Sequence, residues 1–222
     1  MKERKILVLF YSFSGQTAKL AREIAEGAKA IAGTKVEMKR VPELLPDSFF
    51  EEKPKFKKFR DDLDKEFPVA TLDDLTSADG VAFGSPVHFG SFASQLKHFI
   101  DGLSPVFIKG VMVNKPAAYF CTSGSTHGGE EAALISMIIP TLNLGMLPVG
   151  IPYPIQGTGP EFDAGSPYGA VFTSGHNGEN EMSDDDKKAA HILGRRLATM
   201  AQILQCGCES CKVCHTMARE EA

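Results

Sequence analysis

The 222-residue chain has no tryptophan, only four tyrosines, and no apolar run approaching the length of a membrane-spanning helix. It also lacks a strong charge of either sign, since 24 basic and 28 acidic residues give a net charge of −4. A dedicated nucleic-acid binder needs a concentrated basic surface, so this composition argues against that class. The N-terminus passes directly into a strand pattern without a signal-peptide core. We therefore expect a cytoplasmic protein with a small-molecule partner, no bound nucleic acid and no membrane span.

Cysteine is scarce over most of the chain, because four of the five cysteines fall in the last 17 residues. This distribution does not fit a disulfide framework. Cys206, Cys208, Cys211 and Cys214 have the spacing C-x-C-x2-C-x2-C and are followed by His215. Four thiolates at this spacing predict a [4Fe–4S] cluster or a Zn²⁺ site. A reduced tail that cycles between dithiol and disulfide is the alternative.

The rest of the chain alternates strand and helix patterns. Four short apolar runs predict strands at residues 6–9, 80–84, 116–121 and 146–151, and residues 35–41 alternate in polarity as a less buried strand does, which predicts the second of five strands. With helices between them, they predict an α/β fold with a five-stranded, doubly wound parallel sheet in the order 2-1-3-4-5. The last helix is expected to begin at Ser183, because Asp186 three residues later completes a capping-box pattern.

One segment, residues 43–70, interrupts the alternation. Twelve of the sixteen residues from Glu51 to Glu66 are charged, which predicts a solvated helix or loop at one edge that takes no part in a site. We expect one domain over residues 1–204, including this insertion, and a separate cysteine-rich tail over residues 205–222. The glycine-rich segment at residues 175–180, with His176 and Asn177, is predicted to be a surface turn.

The first strand leads into a hydroxyl-rich loop that opens a helix. A strand followed by a glycine and a helix start presents unpaired backbone N–H groups and the positive end of a helix dipole, which favours an anion. The loop contains neither the Walker pattern nor G-x-G-x-x-G, and no Lys or Arg, so we expect a monophosphate held by neutral dipoles. An ordinary capped turn is the alternative. The candidate phosphate-binding residues are Ser12, Phe13, Ser14, Gly15, Gln16 and Thr17.

Two further loops follow the third and fourth predicted strands. In the predicted order these strands neighbour the first, so the three loops converge at the carboxyl edge of the sheet, where ligands of such folds bind. The added loops offer backbone donors, a proline, Phe89 and two histidines to border a flat heteroaromatic ring. Their candidate residues are Pro86, Val87, His88, Phe89 and Gly90, and Thr122, Ser123, Gly124, Ser125, Thr126 and His127.

These motifs resemble the WrbA family of flavodoxin-like NAD(P)H:quinone oxidoreductases from about Lys5 to Leu204. The loops 11–15 and 122–129 are general to flavodoxins. The stretch 83–90, which matches G-[ST]-P-x-x-F-G, is more particular to this family, as are Ser166-Pro167-Tyr168-Gly169-Ala170 and the end of the second strand at 40–43.

The resemblance implies FMN as the cofactor, with its phosphate on residues 12–17 and its ring between residues 86–90 and 122–127. It also implies a homo-oligomer, dimer or tetramer, and a two-electron ping-pong reduction of quinones by NADH or NADPH. Two family features are missing: a histidine where Asn143-Leu144 stand, and the tryptophan often found over the quinone, for which Phe107 is the expected substitute.

No residue is expected to be essential for the chemistry, because the flavin supplies it. His88 and His127 are candidate proton donors, with plain solvated histidines as the alternative. The two ring-binding loops contain no acidic residue, which favours two-electron transfer. A non-enzymatic electron carrier or iron-sulfur flavoprotein, fed through the tail, is the alternative function.

Overall fold

Strands and helices alternate along the chain as the sequence predicts. The structure is a computed structural model that describes residues 3–153 and 165–210, with side chains up to Leu204. The strands are β1 (Arg4–Phe10), β2 (Thr34–Arg40), β3 (Gly80–His88), β4 (Ser91–Phe92), β5 (Pro116–Ser123), β6 (Leu147–Val149) and β7 (Ala170–Thr173). The helices are α1 (Gln16–Lys29), α2 (Asp47–Glu51), α3 (Pro54–Glu66), α4 (Leu72–Thr76), α5 (Ser94–Asp101), α6 (Ser104–Ile108), α7 (Glu130–Asn143) and α8 (Asp184–Ser210).

The sheet has the order β2-β1-β3-β5-β6, and these neighbours are all parallel. Because β5 and β6 are the fourth and fifth predicted strands, the predicted order 2-1-3-4-5 is confirmed. Central strands of a parallel sheet are covered on both faces, which explains why the run Ile6–Phe10 of β1 is apolar and fully buried throughout. The edge strand β2 is only half-buried and alternates in polarity.

The fifth strand is split into two halves that both pair with β5. β6 pairs with Pro116–Ala118, and β7 pairs with Phe120–Ser123, again in parallel. Between the two halves, a backbone hydrogen bond joins Ile151 to Pro167, with the Ile151 amide donating to the Pro167 carbonyl at 3.1 Å. The sequence predicted a single fifth strand at 146–151 and did not predict β7.

The sheet separates two apolar clusters. On one face, Ile6, Val8 and Phe10 pack with α1 and α8, and on the other, Leu7 and Leu9 pack with α5 and α7. The helices α1 and α8 touch backbone to backbone, because a Cβ on Gly194 would lie 2.0 Å from the Ile24 carbonyl oxygen. This crossing holds α1, and with it the loop before α1, against the sheet.

The last helix begins where the sequence predicts. The Ser183 amide donates to the Asp186 carboxylate at 2.9 Å, and the Asp186 amide donates to the Ser183 hydroxyl at 3.0 Å, which confirms the capping box. α8 continues beyond residue 204 to Ser210, so its last turns include Cys206 and Cys208. Of the helices in the described ranges, none combines the length and apolar character needed to cross a bilayer.

Candidate functional site

The loop after β1 leaves backbone donors free at the start of a helix. Gly15 has φ +87°, a left-handed conformation that favours glycine, and α1 begins at the next residue. The amides of Ser14, Gly15, Gln16 and Thr17 donate to no other group among the described residues. Unpaired donors at the start of a helix of 14 residues suit a phosphate.

The three predicted loops meet in space at the carboxyl edge of the sheet, where they surround a cavity of about 460 Å³. The hydroxyl groups of Thr17 and Thr122 are 2.8 Å apart and join the first loop directly to the third. The predicted residues that line the cavity are Phe13, Ser14, Gln16, Thr17, Pro86, Val87, His88, Thr122, Ser123 and Gly124.

The other predicted residues do not line this cavity. Ser12 accepts a hydrogen bond from the Ala18 amide at 3.3 Å, and so supports the start of α1. Phe89 and Gly90 form the two-residue turn between β3 and β4, both with positive φ, and the Phe89 ring is fully exposed. Phe107 lies on α6 with 59% of its surface exposed. Also outside the cavity wall are Gly15, Ser125, Thr126 and His127.

Sequence reasoning missed part of the cavity wall. Lys19 of α1 contributes to it, and so do Lys55, Phe56 and Phe59 of α3. The prediction that the insertion 43–70 takes no part in a site is therefore wrong. The aromatic residues among the charges could have indicated a buried face, because a helix that is solvated all round is polar on every face.

The segment from Ser174 to Gly178 also lines the cavity. It is a turn, as predicted, with the Gly178 amide donating to the Gly175 carbonyl at 3.1 Å. It follows β7, however, and so lies at the same carboxyl edge as the other loops. The Gln16 side-chain nitrogen donates to the Gly178 carbonyl at 3.0 Å and fastens this turn to the phosphate loop.

A buried hydrogen-bond network holds the start of the first loop in place. The Tyr11 hydroxyl donates to the Glu43 carboxylate at 2.9 Å, and the Gln95 amide nitrogen lies 3.0 Å from both groups. The Leu44 and Leu45 amides also donate to Glu43. Burial, followed by the neighbouring Glu43 charge, raises the pKa of Tyr11 above its ordinary value. These contacts connect the end of β1 to the segment after β2 and to α5.

The cavity wall carries positive but no negative side chains. Its lining includes Lys19 and Lys55 together with His88 and His176, and no Asp or Glu. Desolvation by burial lowers the pKa of His88, so its imidazole is neutral at pH 7. Glu130, the first residue of α7, does not line the cavity, and it accepts from the hydroxyl of the lining residue Ser123 at 2.5 Å.

The donor set fits a phosphorylated ligand that also carries hydroxyl groups, as FMN does. The unpaired amides suit the phosphate, and the side-chain oxygen of Gln16 is buried without a partner among the described residues, so a ribityl hydroxyl would satisfy it. Among those residues no group of three His, Cys, Asp or Glu is placed to hold a metal. The proposed metal ligands Cys211 and Cys214 lie outside the described residues, and the side chains of Cys206 and Cys208 are likewise not described, so the metal-binding tail stays a prediction.

Comparisons with known proteins show the family of the chain. The family model for NADPH-dependent FMN reductase matches residues 4–160. A protein of Geotalea uraniireducens named NAD(P)H dehydrogenase (quinone) is 36% identical over 199 residues, which cover 89% of this chain and 97% of that protein. A protein of the same name from Syntrophobacter fumaroxidans is 36% identical over 205 residues, with coverage of 90% and 98%.

Solved structures share the fold. A crystal structure described as a flavodoxin, WrbA-like protein from Agrobacterium tumefaciens superposes with a TM-score of 0.62 at 20% identity, covering 90% of this chain and 99% of that one. An archaeal flavodoxin superposes with a TM-score of 0.56 at 18% identity, covering 89% and 99%. The flavodoxin-like fold predicted from the sequence is confirmed, and the family resemblance is supported by the named relatives.

Proposed function

Because the chain belongs to the NADPH-dependent FMN reductase family, we propose that it is an FMN-dependent oxidoreductase that carries electrons from NADH or NADPH to a quinone. The observation that supports this most is the cavity at the carboxyl edge of the sheet, with unpaired loop amides at one side. The relatives' names favour an enzyme over the alternative of an electron carrier without its own turnover.

Bound FMN would supply the redox chemistry, taking hydride from the nicotinamide and passing two electrons to the quinone. In this proposal residues 12–17 hold the phosphate, and residues 86–90 and 122–127 flank the ring. Neutral His88, at the cavity wall, can donate its N–H to a quinone oxygen, and His127 is the second candidate donor. Phe107 remains the proposed aromatic neighbour of the quinone.

We further propose a homo-oligomer, dimer or tetramer. One face of α7 packs on the sheet, but the opposite face carries Ile135, Ile139 and Leu142, which are 42%, 58% and 54% exposed. A helix that is apolar all round is normally buried, so a second copy is the expected cover. A cytoplasmic location completes the proposal, together with a cysteine-rich tail at residues 205–222 whose first residues, up to Ser210, continue α8.

Steady-state oxidation of NADH and NADPH by benzoquinone, with and without added FMN, tests the activity. We expect turnover with FMN and none after flavin removal. Protein that binds no FMN, or that holds FMN but turns over only with a partner protein, would contradict the assignment.

A matched pair of glycine variants tests the phosphate loop. Gly15 and Gly33 both have positive φ, and a Cβ on either meets no atom closer than 3.8 Å. Alanine therefore adds backbone strain of about 1–2 kcal/mol at both sites. Only Gly15 lies in the loop, so Gly15→Ala should weaken FMN binding about tenfold and Gly33→Ala should leave it unchanged. Equal effects would show that the loop does not hold the cofactor.

A further inference from the structure

The insertion 43–70 reaches over the phosphate loop through an aromatic contact. The Phe13 ring of that loop lies 4.8 Å from the Phe56 ring of α3 and 6.2 Å from Phe49 of α2. Ring centroids at these distances are in favourable contact. The insertion is therefore packed against the loop through rings contributed by both of its helices.

Several carboxylates of the insertion form ion pairs away from the cavity. Asp61 pairs with Lys57 at 2.6 Å, Asp47 with Arg60 at 2.7 Å, and Asp64 with Arg40 of β2. Glu66 accepts from Arg22 of α1 at 2.8 Å. None of these carboxylates lines the cavity. These four carboxylates are thus paired with cations away from the cavity.

The basic residues at the cavity are left without such neutralisation. Lys55 has its ammonium 6.0 Å from the Phe59 ring centroid and has no carboxylate partner among the described residues. Lys19, two residues beyond Thr17, is likewise without a described carboxylate partner. Two uncompensated lysines in a wall that carries no acid make the loop side of the cavity electropositive.

We propose that α3 is part of the cofactor site: Lys55, together with Lys19, is the counter-ion for the phosphate of FMN, and Phe56 holds α3 in place through Phe13. This inference rests on the proposed FMN binding. It replaces the expectation, based on the loop alone, that neutral dipoles hold the phosphate. It also assigns a role to the insertion, whose aromatic residues and ion pairs place Lys55 at the cavity.

The test compares FMN with riboflavin, which lacks the phosphate, on the full chain freed of flavin. Fluorescence quenching gives both dissociation constants. An exposed lysine facing a dianion contributes about 1 kcal/mol, so Lys55→Met should raise the dissociation constant for FMN about fivefold and leave that for riboflavin unchanged. Lys58→Met is the matched control, because Lys58 is on the same helix, is exposed and does not line the cavity.

The role of Phe56 predicts that the two effects are not additive. In a Phe56→Ala background, which frees α3 from Phe13, Lys55→Met should add less than a further twofold loss of FMN affinity. Salt gives an independent readout, because added salt should weaken FMN binding to the wild type more than to Lys55→Met.

Each other result overturns the proposal in a distinguishable way. If the wild type binds FMN and Lys55→Met binds it equally well, α3 is not part of the phosphate site. If only the KM for NADPH rises, Lys55 serves the nicotinamide nucleotide instead. If riboflavin is weakened as much as FMN, the lysine acts on the ring or the fold. A wild type that binds neither flavin refutes the proposed function itself.

Discussion

Replacing Gly194 with alanine tests whether α1 and α8 are as close as the structure places them. A Cβ at this position would lie 2.0 Å from the Ile24 carbonyl oxygen and 2.8 Å from the Ala28 amide nitrogen. The facing position behaves in the same way, since a Cβ on Gly27 would lie 2.3 Å from the His191 carbonyl oxygen. These are backbone atoms, so the clash can be relieved only by moving the helices apart.

Two opposing terms determine the sign of the change in stability. Inside a helix, alanine is favoured over glycine by about 1 kcal/mol. Separating the helices by ~1 Å or more loses packing along the crossing and costs roughly 3 kcal/mol, at the upper end for overpacked interiors. We therefore expect Gly194→Ala to lower the free energy of unfolding by about 2 kcal/mol and Tm by roughly 4–8 °C.

Urea denaturation measures the effect, and flavin titration measures its consequence for the site. Arg195→Ala is the control, because Arg195 is the adjacent residue of α8 and is exposed. It should change stability by less than about 0.5 kcal/mol. Because α1 begins at the phosphate loop, Gly194→Ala should also weaken FMN binding. A variant more stable than the wild type would show that helix propensity dominates and would refute the close crossing.

Three more perturbations follow from the structure. Glu43→Ala removes the carboxylate that accepts from Tyr11 and Gln95. Because unsatisfied buried donors are unfavourable, the free energy of unfolding measured with urea should fall by about 2–3 kcal/mol. Ile139→Glu puts a charge on the exposed apolar face of α7, so light scattering should show an assembly about 100-fold weaker. Burial raises the pKa of Tyr119 to about 12. Between about pH 10 and 12 the unfolded chain loses a proton that the folded chain keeps, so the free energy of unfolding should fall as pH rises, and less steeply in Tyr119→Phe.

Controls and contrary outcomes keep these predictions falsifiable. Glu51→Ala, at an exposed position of α2, should leave the free energy of unfolding unchanged. An equal loss in this control would show that the hydrogen bonds of Glu43 do not stabilise the fold. Ile139→Glu should still bind FMN, and an unaltered assembly would place the interface elsewhere. Because Tyr153 and Tyr168 are exposed, Tyr119 is followed as the difference in tyrosinate absorbance between the wild type and Tyr119→Phe. A difference that develops at the ordinary pKa of tyrosine would contradict the burial of Tyr119.

The first site loop was predictable because its signals are local. The buried run of β1, Gly15 and the start of α1 adjoin one another in the sequence, so strand, turn and helix can each be recognised. The loops after β3 and β5 follow from the same reasoning once the parallel order is inferred. Their meeting in space required only the rule that ligands bind at the carboxyl edge.

The missed parts of the site depend on distant pairings. β7 has four residues and β6 three, too short for an alternating pattern to identify either with its correct bounds. Without β7, the turn at 174–178 has no reason to lie at the cavity. In the insertion, charge dominates the composition, and only the structure shows that Phe13 gives Phe56 a partner. Local composition does not report such contacts.

The hydrogen bond between Ile151 and Pro167 holds together the two ends of the chain segment that separates β6 from β7. Both halves of the fifth strand take their register from β5, since β6 pairs with Pro116–Ala118 and β7 with Phe120–Ser123. In general, doubling the length of a loop costs only about 0.6 kcal/mol in closure entropy. We therefore expect a peptide inserted between residues 153 and 165 to leave the pairing of β6 and β7 with β5 unchanged.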